Sequence, residues 1–233
     1  MLKEYYKGLL YVSEGIRIFC QRPGLWFYAL IPFLFTCIIY ALLTWGAIGV
    51  CQSFTAEVDS ILPSWLGWVG GFFIYTVIFL LLLIMIAITS GTVYEVIGGG
   101  FFDRMLQKFA GPPPAERKIS YGIAFCSQMI LFGFNTLLLF FVGLILCVSI
   151  PFLGSVVAFF LMAYRFAIAY LSYTGLYTGM TFKEMKRFAR KNLSAVLGYG
   201  SGVFLIMMIP VLPVFLLPGV ILGGYKLYSN YKS

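Results

Sequence analysis

The chain has no histidine, and only 10% of its residues are charged. The first absence excludes zinc sites built on imidazole, a Ser-His-Asp array and a histidine proton switch. The second excludes an ordinary soluble domain, in which about a quarter of residues are charged. Cys20, Cys37, Cys51, Cys126 and Cys147 form no CxxC pair and no metal-ligand spacing. Four lie inside apolar runs and Cys20 falls on the apolar side of an N-terminal helix, so each reads as a small buried hydrophobe. No phosphate-binding loop occurs, so ATP use is not indicated. The N-terminus does not read as a signal peptide, because Glu4 and Glu14 interrupt it. No acid–base constellation is visible either, so an enzyme is not expected and no cofactor is implied.

What is present is uncharged length. No charge occurs from Pro23 to Ala56, Ser60 to Tyr94, Ile119 to Tyr164 or Asn192 to Tyr225. Each run exceeds the ~20 apolar residues that cross a ~30 Å hydrocarbon core as a helix. The runs are continuous rather than alternating, which excludes a transmembrane barrel. The reading is an all-α integral membrane protein forming one domain over residues 1–233.

The net charge of +8 lies in short islands that flank the runs. The positive-inside rule explains such islands better than nucleic-acid binding does, and it adds affinity for anionic lipid headgroups. Residues 1–21 read as an amphipathic interfacial helix, with Lys3, Lys7, Glu14, Arg17 and Gln21 on the wet side and Tyr5, Leu9, Val12, Ile16 and Phe19 opposite. The run from Pro23 would make an overlong helix kinked at Pro32, ending at Glu57 and Asp59 outside. The second run returns and ends at Gly98-Gly-Gly100, followed by a short helix carrying Asp103, Arg104 and Lys108. Basic residues place that island with both termini, in the cytoplasm.

From Ile119 the chain goes in and comes back, with a turn near Pro151. Thr181-Phe-Lys-Glu184 resembles a capping box opening a second amphipathic helix, with Phe182, Met185 and Ala189 opposite Lys183, Arg187 and Arg190. The last run turns at Pro210 and Pro213, leaving arms of about 15 residues, or ~23 Å, too short for a crossing. The architecture expected is two long transmembrane helices, two helical hairpins of which at least one is half-inserted and re-entrant, and two interfacial helices. Half-inserted hairpins cover little lipid alone, which implies a homo-oligomer.

The chemistry concentrates at Arg22-Pro-Gly24-Leu25-Trp26. Pro at a helix start is favoured, and backbone N–H groups there have no helical acceptor, which suits an oxyanion. Arg22 would add bidentate pairing. The plainer reading is a Pro-Gly start to a membrane helix with Trp26 as interface anchor. Arg165 stands alone between residues 119 and 182. It either faces a partner or cavity, with Glu95 and Asp103 as candidates for an ion pair or pathway, or snorkels to the opposite headgroups. Tyr164, Tyr170, Tyr173 and Tyr177 read as packing or belt residues. Gln128 and Asn135 either line a polar path or bond between helices.

The order of these pieces resembles the CysZ sulfate-transporter family, which shares its domain with the etoposide-induced membrane proteins. The residues that carry the resemblance are Gly8-Leu-Leu-Tyr11, Pro23-Gly-Leu25, Ile31-Pro32, Gly100-Phe-Phe-Asp-Arg104 and Met180 to Phe188. Gly198-x-Gly-x-Gly202, Ile209-Pro210 and Leu217-Pro218 complete it. The resemblance implies a bacterial inner-membrane permease that feeds sulfate to cysteine biosynthesis, as an oligomer with half-inserted hairpins. It places sulfate at a Gly-Leu-Arg motif at the start of the first long helix. Gly24 and Leu25 match, and Trp26 stands where the motif has arginine. The alternative is a membrane scaffold or remodelling protein of the same fold that transports nothing.

Overall fold

A computed structural model describes residues 1–61, 64–113, 142, 151–209 and 212–232. Among the described residues all regular structure is helical. Helix α1 spans Leu2–Gln21, and a 3-10 turn at Pro23–Leu25 leads into α2, Trp26–Ile61. Then follow α3 (Ser64–Ala110), α4 (Pro151–Thr178), α5 (Phe182–Lys191), α6 (Leu193–Met207) and α7 (Leu212–Tyr231). The chain divides into two compact units, one of Ile31–Ile97 and the other of Met1–Leu30 with Gly98–Ser233.

The unit of Ile31–Ile97 holds the bulk of α2 and α3, and it exposes many large apolar side chains. Leu42, Trp45, Phe72 and Phe73 are exposed, Trp45 by 74%. Large apolar side chains exposed along most of a long helix suit a membrane span. Pro23–Glu57 and Phe152–Thr178 are both long and apolar enough to cross one, with mean hydropathies of 2.1 and 1.9. The hydroxyls of this unit turn inward on their own backbone. Thr36 Oγ1 donates to Pro32 O at 2.7 Å, Thr44 to Tyr40 O at 2.7 Å and Thr76 to Phe72 O at 2.8 Å. Lipid offers those hydroxyls no partner, and the i−4 carbonyl supplies one.

In the other unit, α1 lies against α6 and α7, and α4 packs on α5, α6 and α7. Partners along α1 show its direction. Glu4 meets Tyr231, Tyr11 meets Asn230 (2.9 Å), Glu14 meets Lys226 (2.6 Å) and Ile16 meets Gly219. Numbers rise on one helix as they fall on the other, so α1 and α7 are antiparallel over their lengths. Close approach is made possible by glycine, as it is between membrane helices generally. A Cβ on Gly8 would strike the carbonyl of Ala195, and one on Gly198 the carbonyl of Tyr5. Tyr199 crosses from α6 to donate its hydroxyl to Val220 O at 2.9 Å, which fixes α6 to α7.

Several sequence expectations change. The wet-side residue Glu14 is ion-paired to α7 rather than facing headgroups alone. The glycine run Gly98-Gly-Gly100 does not end the second long helix, because α3 continues to Ala110. Helical glycine costs about 1 kcal/mol, and here the bare Gly98 makes room for the Phe102 ring one turn on. Cys20 and Cys37 are exposed, so only Cys51 among the described cysteines is the buried hydrophobe expected. Cys126 and Cys147 lie outside the described residues.

Pro213 is no part of a turn. It sits in the first turn of α7, where its missing N–H had no helical acceptor to lose. The arms are therefore 15 and 20 residues long. Pro151 likewise opens α4. The partner arm, with Gln128 and Asn135, lies outside the described residues. The capping box of α5 is present in full: Thr181 N donates to Glu184 Oε2 at 2.7 Å, and Glu184 N to Thr181 Oγ1 at 3.3 Å.

Candidate functional site

The elbow between α1 and α2 is built by local bonds. Arg22 N donates to Phe19 O at 3.3 Å, Leu25 N to Arg22 O at 2.9 Å, and Trp26 N to Pro23 O. Pro23 enforces this turn by fixing its own φ. The consequence narrows the anion reading, since the Leu25 and Trp26 amides already have acceptors. Leu25 is buried and pins the elbow, whereas Gly24 is exposed.

Trp26 has a defined job. Its indole Nε1 donates to Phe19 O at 3.0 Å, a second donor to a carbonyl at the end of α1 that otherwise accepts only the 3.3 Å bond from Arg22 N. The rest of the ring is half exposed. Both the plain anchor role and the helix-start role thus meet in one side chain.

Charge reaches the elbow from elsewhere in the chain. Lys108, in the last turn of α3, donates from Nζ to Gly24 O at 3.1 Å. The same ammonium lies 5.7 Å from the Tyr28 ring centroid. Arg22 lays its guanidinium over Phe109, 5.1 Å from the ring centroid. Two adjacent residues of α3 therefore bracket the elbow, one offering a cation and the other receiving one. Among the described residues neither Arg22 nor Lys108 is ion-paired. The Phe109 ring meets Tyr225 edge-on, Tyr225 meets Tyr177, and Tyr177 donates to Gly111 O at 2.7 Å. This aromatic chain ties the ends of α3, α4 and α7 beneath the elbow and holds Phe109 where Arg22 can cover it.

The other candidates are spread out. Asp103 is buried on α3, where Gln107 Nε2 donates to its Oδ2 at 2.9 Å, so it is not a solvated boundary residue. Arg165 is half-buried on α4, on the helix whose Ala163 and Ala167 receive Gly200 of α6. The side chain of Glu95 lies outside the described residues. Of the tyrosines, Tyr170 and Tyr173 stack at 6.3 Å within the core.

The site residue that sequence reading missed is Lys108. It stands 84 positions from Gly24, and no spacing rule joins them. The one available signal was its place at a helix C-terminus, where cations are favoured.

Among the described residues all regular structure is helical, two helices are long and apolar enough to span a bilayer, and a cationic elbow heads one of them, the features of a helical membrane protein. This protein belongs to the family described as sulfate transporter CysZ/etoposide-induced protein 2.4, whose profile matches residues 11–218. The chain is 25% identical to the sulfate transporter CysZ of Pseudomonas paraeruginosa (strain DSM 24068 / PA7), over 93% of this chain and 92% of that protein. Against the sulfate transporters CysZ of Pseudomonas aeruginosa strains LESB58 and PAO1 the identity is 24% over the same shares.

Proposed function

We propose that the protein is a passive permease for a small oxyanion, with sulfate the first candidate, in a bacterial inner membrane. Sulfur assimilation is the process it would supply. The observation that carries this reading is the approach of Lys108 to Gly24. The relatives named above are sulfate transporters, and the resemblance calls for an arginine at position 26, where this chain has tryptophan. Lys108 and Arg22 supply positive charge to the same elbow from two other directions. Both are long, exposed side chains that can swing onto an anion seated at Gly24, at the cost of one carbonyl hydrogen bond for Lys108.

The half-inserted hairpin draws support from helix length. At 15 residues α6 rises only ~22 Å, against a ~30 Å hydrocarbon core. On this reading both chain ends are cytoplasmic, and the unit of Ile31–Ile97 meets lipid or neighbouring subunits of a homo-oligomer.

Isothermal titration of the detergent-solubilised protein with sulfate tests the site. Heat in the wild type that weakens in both Lys108→Gln and Arg22→Ala is expected; equal heats in all three, or none, rule the elbow out. A non-transporting scaffold is the second reading, favoured by the commitment of Trp26 to bracing α1 against α2. It predicts no sulfate flux above that of empty vesicles.

A further inference from the structure

Helix α5 presents an arrangement that the transport reading does not use. Its cations are Lys183, Lys186, Arg187, Arg190 and Lys191, spaced i, i+3, i+4, i+7 and i+8 from the first. That spacing normally gathers apolar residues on one helix face; here it gathers five positive charges. All five side chains are exposed, while Met185 and Ala189 on the opposite face are buried. Its single acid, Glu184, is held by the capping box with Thr181 at the helix start. Among the described residues none of the five cations is ion-paired.

The helix is held rigidly from beneath. Gly175 of α4 lies against the Met185 sulfur, since a Cβ there would sit 3.4 Å from it. Phe188 meets Tyr228 of α7 edge-on at 5.3 Å, and Lys232 lies over that same Tyr228 ring. A Schellman turn through Gly179, with φ of 76°, delivers the chain from α4 into the capping box. Apolar Phe182 is exposed at the start of α5 and Leu193 just past its end, at the start of α6. A cationic stripe between two exposed apolar residues is the pattern of a helix lying in an anionic headgroup layer.

We propose that α5 is a docking surface for anionic phospholipid headgroups, its five cations pairing with lipid phosphodiesters at the cytoplasmic leaflet. The leaflet rests on the orientation proposed above; the lipid preference is independent of what the protein carries. Native mass spectrometry of the full chain, titrated with phosphatidylglycerol or phosphatidylcholine in detergent, measures that preference.

Wild type is expected to retain phosphatidylglycerol over phosphatidylcholine. Combined Lys183→Gln, Arg187→Gln and Arg190→Gln should lower phosphatidylglycerol affinity on the order of 100-fold, at about 1 kcal/mol per cation. An equal charge loss spread over α1 and α3, by Lys3→Gln, Arg17→Gln and Arg104→Gln, should lower it by about tenfold less than the α5 substitutions do. Unchanged selectivity in the α5 variant, or equal loss in both, overturns the proposal. Salt dependence of the wild type needs no folded variant: preference should fall steeply with added sodium chloride, and a salt-insensitive preference contradicts it.

Discussion

Gly15 of α1 and Gly223 of α7 touch backbone to backbone: a Cβ on Gly15 would lie 2.6 Å from the Cα of Gly223. Backbone cannot rotate aside as a side chain can, so even one methyl group must push the helices apart. Gly15→Ala should destabilise the protein by about 1–3 kcal/mol, the usual cost of overpacking. Gly46→Ala is the matched control, because nothing lies within 4 Å of the added Cβ there. It should be neutral or slightly stabilising through helix propensity. Thermal unfolding in one detergent compares the two.

The α1–α7 pairing is also an electrostatic latch, and its pH response follows from Glu4. The Tyr231 hydroxyl and then Lys7 hold the Glu4 carboxyl below its ordinary range. A lowered folded-state value means that the contribution is complete above the unfolded value and vanishes as pH falls through the folded one. The start of α1 should thus stay protected through about pH 5 and loosen only below the usual carboxylate range. Tyr231 is pushed up to about 12 by desolvation and by Glu4, so its contribution persists from neutral pH and is lost only as pH rises through that value. Hydrogen exchange over Leu2–Lys7 checks this. Tyr231→Phe should raise exchange there at pH 7 and shift the acid loosening toward higher pH.

Trp26→Phe separates bracing from binding. It removes the 3.0 Å bond from Nε1 to Phe19 O while keeping an aromatic ring. Stability should fall by about 1 kcal/mol, with sulfate affinity unchanged. A drop in sulfate affinity without loss of stability would show instead that the indole N–H serves the anion.

Much of this architecture is legible in the sequence because membrane burial forces it. The charge-free runs among the described residues are helices, and α1 and α5 betray themselves by their faces, the latter down to its capping box at Thr181 and Glu184. Punctuation misleads where glycine and proline serve packing. Gly98 reads as a stop, yet it makes room for Phe102 within a continuous helix. Pro213 reads as a turn, yet it is harmless in the first turn of α7. Cys20 and Cys37 read as buried because apolar surroundings imply burial in a soluble core and not in a chain whose solvent is lipid. Lys108 is illegible at Gly24 for a different reason: tertiary folding closes that distance, and the local pattern around residue 108 says only that a helix is ending.

The claim that most needs measurement is that Lys108 serves an anion at the elbow. Radiolabelled sulfate uptake into proteoliposomes, with sulfate imposed as an outward-to-inward gradient, addresses it directly. Wild type should exceed empty vesicles without ATP, and Lys108→Gln should reduce initial uptake by about tenfold or more, in line with loss of one charge-assisted hydrogen bond. Lys108→Arg should retain most of it. Wild-type uptake no higher than that of empty vesicles, or full uptake by Lys108→Gln, contradicts the account.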